Sequence, residues 1–481
     1  MTSLLFFLLL LAIASILWVE DSRISKIWLT SLFYGFLSLV TTSILWSIQS
    51  WSIPLLSQVS KPGGFLLPTF LNNWGLFGLS WDSLSLSMVL LTALLTPSCL
   101  IISMGRLKIM VKEFCLLLFF THLILVLVFS VDDLILFYIL FESTLIPLFI
   151  MIGVWGGREE KVKAAFYFFI FTLVGSVFML LAVLKTYSLS GSTSLIMIFS
   201  IGIPSFWQWW IALGLVVGMA VKIPMFPAHI WLPQAHVEAP VAGSVLLAGI
   251  MLKLGGYGLI KFCWPIVPEG ITFISPVFIT LSIVAIIYGG LITCRQSDMK
   301  RLVAYSSVAH MGLVTAAIFS GDPIAQLGSI FIMLSHGIVS SALFISVTQL
   351  YDRTGTRLIR YYRGVVITMP LFSALFVVLN LANMALPLSA NFLAELISIV
   401  GIMRELPLVA PLMAVGVVLS AAYSLFMVNR ISFGVPSPYT LKIRDLGRKE
   451  VYPVTLLAVL TYQLGVCPNW VVSPLQSYSL L

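Results

Sequence analysis

The stretch VKIPMFPAHIWLPQAHVEAPVAGSVLLAGIMLKLGGYG, residues 221 to 258, decides how this chain folds. It opens on Lys222-Ile223-Pro224 and Pro227 inside a run otherwise apolar enough for a helix. Proline has no N–H, and its ring clashes with the preceding turn, so a helix through this run must break near Lys222. The apolar run resumes after Pro240 and carries a lone cation, Lys253, near its middle. Leu252, Leu254 and Gly255 beside it offer no counter-charge. A charge at the centre of a membrane helix costs about 2.5 to 3.5 kcal/mol on insertion scales, so it needs a partner or a purpose.

Composition places the whole chain in the same setting. Apolar residues are 60% of the 481 and charged residues 9%, against roughly 45 to 50% and 25% in soluble chains. So few charges cannot coat a water-facing surface, and a mean hydropathy of +1.09 excludes disorder and secreted disulfide scaffolds. The five cysteines are scattered with no C-x-x-C pair, which argues against zinc or an iron–sulfur cluster in this chain. No G-x-x-x-x-G-K-[ST] or G-x-G-x-x-G motif occurs, so no nucleotide site is expected.

Fourteen apolar stretches are long enough to cross about 30 Å as helix. They are hydrophobic all round, without the alternation of barrel strands, so the expected fold is all-α with fourteen transmembrane helices. Basic residues test that count, because loops on one side of a membrane collect them. Twenty Lys and Arg fall in loops of one side, whereas the other holds only Lys61, Lys185, Lys261 and Arg404. The net charge of +8 therefore describes sidedness and not nucleic-acid binding. The expected layout is an N-terminal group of helices 1 to 3 (1–112), two five-helix blocks (113–262 and 272–429), and a C-terminal loop and helix (430–481). Five crossings per block force the two into opposite orientation, and each has an interrupted fourth helix. The second interruption is Pro387 in ANMALPLSANFLAEL, residues 382 to 396. Paired broken helices in corresponding positions point to an inverted-repeat transporter with sites near mid-membrane.

The ionisable residues inside these spans are the candidate site. Glu142 lies mid-span, Lys222 at the first break, Lys253 as described, and Glu395 beyond the second break. Intramembrane charges of this kind mark ion or proton pathways by default. Glu142 and Lys222 could instead be a packing pair, Lys222 could snorkel, and Glu395 could reach the surface from a short helix. His310 and His336, also near mid-span, fit either proton relay or hydrogen-bonded bridging of helices. His122 reads as packing, and His229, His236 and Glu238 read as the lining of a polar inlet.

With these residues in view, the sequence resembles the antiporter-like membrane subunits of NADH:ubiquinone oxidoreductase, respiratory complex I. The resemblance rests on FESTLIPLFIMIGVWGGREEKVKAAFYFF (141–169), the 221–258 stretch, CRQSDMKRLVAYSSVAHMG (294–312), SHGIVSSALF (335–344) and NFLAEL (391–396). It implies that Glu142 and Lys222 form an interacting pair, that Lys253 is the central relay, that His310 and His336 lie on the route, and that Glu395 ends it. A Glu at 395 separates this chain from its siblings, chains 2 and 5, which usually carry Lys there. The resemblance also implies proton translocation driven by electron transfer elsewhere: FMN, iron–sulfur clusters and ubiquinone belong to partner subunits, with no redox centre in this chain. Implied partners are other complex I subunits, chains 2 and 5 especially, with lipids, water and protons. The implied location is the mitochondrial inner membrane, or a bacterial plasma membrane. A free-standing cation/proton antiporter and a purely structural spacer subunit are the alternatives.

Overall fold

The computed structural model describes residues 2–56, 79–441 and 443–479, and among these the chain is helical with three isolated bridges and no strand. Ten helices are long and apolar enough to cross a membrane, or eleven if Arg448–Val466 and Asn469–Gln476, bent by 62° at their junction, make one span. Leu4–Trp18 and Pro370–Asn383 are shorter apolar helices.

Helices sort into an inner and an outer set. Val241–Ile266, Met299–Phe319 and Pro323–Thr354 are buried over nearly all their apolar length. Lys161–Ser190 and Ala410–Ser432 lie outside them and present large apolar side chains such as Phe166, Ile170 and Leu425 outward. Small residues let the inner helices approach closely. A Cβ on Gly249 would stand 2.3 Å from Leu95 Cδ1, and one on Gly256 2.4 Å from Met333 Sδ.

Both expected interruptions occur. Helix Ser205–Lys222 stops at Lys222, Pro224 takes a positive φ of 27°, and helix restarts at Trp231–Glu238. Trp231 Nε1 donates to the Val221 carbonyl at 3.0 Å, which meets one hydrogen-bond demand of the helix end. In the second case Pro370–Asn383 ends, Ala385 (φ 59°) and Leu388 (φ 78°) enter the left-handed region, and Ser389 caps Ala390–Glu405 through Phe392 N–H. The Lys253 helix has π-helical segments on either side of the lysine, Leu247–Met251 and Leu259–Cys263, the second of them just before Pro265, which cannot donate to the Lys261 carbonyl.

Loops meet in two separate sets. One joins residues 79–82, 129–133 and 193–195, through bridges Leu79↔Val131 and Asp133↔Ser194 and the bond Leu195 N–H to Asp132 carbonyl at 3.1 Å. The other gathers basic segments: Arg106 to Asp352 at 2.7 Å, Arg353 to Glu450, and Met299 N–H to the Arg357 carbonyl at 3.0 Å. Lys261, counted with the sparse side, is not in a loop. It is buried in the end of the Lys253 helix and bonded to Asp82 and Asp132.

Candidate functional site

Lys253 is 0% exposed, and its ammonium donates to the carbonyl of Ala248, inside the first π-helical segment. π-helical turns of this kind recur at functional sites. The same nitrogen lies 3.0 Å from His336 Nδ1, contributed by helix Pro323–Thr354. The His336 ring is 5.4 Å, centroid to centroid, from that of His310 on helix Met299–Phe319. His310 Nδ1 is 3.0 Å from Glu395 Oε1, and its Nε2 is 3.4 Å from the Tyr423 hydroxyl. Lys253, His336, His310 and Glu395 thus form one buried line drawn from four helices and ending beyond the second break. Glu395 is 4% exposed, which removes the surface-reaching alternative. Asn383 and Asn391 add buried amide oxygens without a protein partner at that break.

The first pair is arranged differently from expectation. Lys222 is buried and donates to the Phe141 carbonyl at 2.6 Å, lies 3.3 Å from Thr144 Oγ1, and sits 3.4 Å over the Phe141 ring. It makes no ion pair within 4.0 Å with Glu142, whose Oε1 has no hydrogen-bond partner. The carboxylate lies beside Ser176 and within electrostatic reach of Lys222. The cause is local: Pro147 cannot donate to the turn before it, and the helix divides at Thr144 into Leu134–Ser143 and Leu145–Trp155. That division leaves the Phe141 carbonyl and Thr144 hydroxyl turned toward the lysine. The six candidates therefore fall into two groups, Glu142 with Lys222 and the four-residue line, with no direct polar contact between them.

Several participants escape sequence reasoning. Tyr423 reads as one more aromatic in a span. Lys300, Asp352 and Arg357 read as loop charges, yet they line a cavity of about 160 Å³ with Arg106 and Glu238 on the basic-loop side. Glu238 is buried 3.7 Å from Arg357 Nη2, and Lys300 Nζ donates to the Ala239 carbonyl at 3.2 Å. His236, expected at a polar inlet, is buried and stacked on Phe344 at 4.5 Å. His229 stacks on Phe226 at 5.6 Å, and His122 bonds Thr96 at 3.1 Å. The only sequence signal for the cavity is the adjacency of Glu238 to the first break.

Broken helices in an all-helical membrane core, with buried Lys, His and Glu aligned between them, define a polytopic protein of the ion-translocating, antiporter-like class. Comparison with known proteins is specific. The family description NADH:quinone oxidoreductase/Mrp antiporter, TM, matches residues 131–421. NADH-ubiquinone oxidoreductase chain 4 of Metridium senile is 49% identical over 98% of this chain and 96% of its own length. The Arabidopsis thaliana protein of the same name is 44% identical over 94% and 91%. A chain of the structure titled respiratory complex I from Thermus thermophilus with bound NADH superposes with a TM-score of 0.84 at 28% identity, covering 100% of this chain and 99% of that one. The chain belongs to the NADH-ubiquinone oxidoreductase chain 4 family.

Proposed function

We propose that this chain is a proton-translocating membrane subunit of respiratory complex I, with Glu142, Lys222, Lys253, His336, His310 and Glu395 as its relay. The observation that carries the reading is the buried line from Lys253 to Glu395, with polar contacts of 3.0 Å at both ends and the two imidazole rings 5.4 Å apart between them. A packing role needs no such alignment of titratable groups across four helices. Protons enter from the basic-loop side through the cavity at Glu238 and Lys300, are held at Lys222 and Lys253, and pass through the two imidazoles to Glu395. Imidazole suits the middle of this route, because each ring can accept a proton at one nitrogen and release one from the other.

Along the route only N–H and O–H bonds are made and broken, each proton leaving one group as it binds the next. The work lies in moving charge: about 4.6 kcal/mol per proton against roughly 200 mV. Electron transfer in partner subunits supplies that energy, with chains 2 and 5 as the neighbours in the membrane and the mitochondrial inner membrane as the location. Fourteen crossings, counting each broken helix as one, and two inverted five-helix blocks complete the reading. The alternation of basic loops and the grouping of loops into two sets support it.

The test is proton-to-electron stoichiometry in fully assembled enzyme carrying Glu142→Gln or Lys253→Met. Both should assemble and lose most pumping. A normal ratio in either would reject the relay in favour of packing. The family description also names Mrp antiporters, so a free-standing antiporter is the second reading. Extraction of the chain alone, apart from any flavin-containing assembly, would favour it.

A further inference from the structure

Between the relay and the sparse-charge side lies a block of aromatic side chains to which no role has been given. Phe129, Phe137, Phe141, Tyr257 and Phe262 are all fully buried. Their rings form a connected stack: Phe141 to Phe137 at 5.6 Å, Phe137 to Phe262 at 4.3 Å, Phe137 to Tyr257 at 6.3 Å, and Tyr257 to Phe129 at 5.0 Å. The inner end touches the relay, since Lys222 Nζ sits on the Phe141 ring. The outer end is closed by an ion triad: Lys261 Nζ is 2.7 Å from Asp132 Oδ1 and 3.1 Å from Asp82 Oδ2.

The placement follows from helix geometry. Lys253 and Tyr257 are spaced by four residues of α-helix and share one face, and Lys261, in the π-helical segment that follows, brings its Nζ to 5.8 Å from the Tyr257 ring centroid. The Tyr257 hydroxyl donates to the Phe129 carbonyl at 2.9 Å. Gly258 brings the stack against Met219, whose Sδ would be 2.5 Å from a Cβ there. Their main chains fix the two aspartates: Asp82 is the N-cap residue of helix Ser83–Ser103, its N–H donating to Ser85 Oγ at 2.6 Å, and the Asp132 main-chain carbonyl accepts from Leu195 N–H.

We propose that this aromatic stack, closed by Lys261, Asp82 and Asp132, is a proton seal that shuts the first half of the molecule toward the sparse-charge side. The inference rests on the relay reading: a proton held at Lys222 or Lys253 moves on to His336 only if the shorter way out is blocked. Contacting rings leave no row of polar atoms for a hydrogen-bonded water chain, and apolar constrictions of this kind exclude water from pores. The triad completes the barrier by tying its groups together: Lys261 holds Asp82 and Asp132 across the outer end, and without it the two carboxylates would stand unpaired and free to draw water against the stack.

Passive proton leak tests the seal. Assembled complex is placed in proteoliposomes, a potassium diffusion potential is imposed without turnover, and proton influx is followed. Phe137→Ala should raise influx at least several-fold, and Lys261→Met should do so as well, whereas Phe166→Ala on the outer surface should not. Hydroxyl-radical footprinting of the unaltered complex gives a second readout that needs no variant. Phe129, Phe137, Tyr257 and Phe262 should stay unmodified while exposed Tyr439 and Tyr452 react. Wild-type leak in assembled Phe137→Ala, or modification of the stack to the level of Tyr439, would overturn the seal. Lys253→Met measured in parallel separates the two ideas. Normal pumping there removes the relay and the seal with it, whereas lost pumping with an unchanged leak in Phe137→Ala removes the seal alone.

Discussion

Glu395 is the proposed end of the relay, and its surroundings suit a carboxyl in that place. It projects from a half-helix that Ser389 caps, and its Oε1 faces His310 Nδ1 at 3.0 Å. Helix Ala410–Ser432 brings Tyr423 to the other nitrogen of the same ring. The imidazole therefore has an acceptor on one side and a hydroxyl on the other, the arrangement that lets a ring pass a proton by exchanging tautomers. Glu395→Lys keeps an ionisable group at this position and should retain part of the proton pumping, while Glu395→Ala should lose most of it. The measurement is stoichiometry in assembled enzyme, and equal, near wild-type values for both would take Glu395 off the pathway. Lys222 makes the complementary point. Its charge is met by a carbonyl, a hydroxyl and a ring, groups that cannot take its proton. That leaves Glu142 as a nearby carboxylate free to approach or withdraw.

At the scale of elements, the Lys253 helix is set in place by glycine. A Cβ on Gly255 would lie 2.4 Å from Ile223 Cγ1 and 2.6 Å from the Met219 carbonyl, and a backbone oxygen cannot turn aside as a side chain does. Gly255→Val should therefore push apart the two helices that carry Lys222 and Lys253 and destabilise the subunit by about 1 to 3 kcal/mol. A lower yield of assembled complex and earlier thermal dissociation would report this, and wild-type values of both would show that the helices have room. The breaks in this region were legible because proline states its own effect: Pro224 and Pro227 place the first at Lys222, and Pro387 places the second. The π-helical segments were not legible. LAGIM and LIKFC contain no proline, and neither Gly249 nor Pro265 beside them tells a wider turn from an ordinary one. Glu142 and Lys222 interact at a distance and not through a direct bond. Two opposite charges near one another in sequence-derived spans suggest a bond, but the turn opened at Thr144 offers the lysine a nearer acceptor.

For the whole molecule, charge was the clearest sequence signal and also the one with the plainest limit. Twenty basic residues on one side against four on the other predict two classes of loop, and loops do meet in two sets. Counting cannot tell a solvated cation from a buried one, so Lys261, Lys300 and Arg357 were read as surface charges although all three are buried. Their partners lie far away in the chain, and only the fold brings them together. The same uncertainty bears on the second broken helix, because Pro370–Asn383 and Ala390–Glu405 are each too short to cross alone and could, by length, dip in and return. Two features argue for a full crossing. The chain enters beside the basic segment at Arg360 and Arg363, and it leaves at Arg404, which pairs with Asp322 of a sparse-side loop at 3.4 Å. Arg360 and Leu408 are both exposed, Leu408 at 87%, so a cysteine at either can be labelled without disturbing the core. Arg360→Cys and Leu408→Cys should react with impermeant thiol reagents from opposite faces of sealed vesicles. Reaction from the same face would make the segment a re-entrant loop, leave an odd crossing unaccounted for, and put every later helix, including the one that carries Tyr423, in the wrong orientation for the relay.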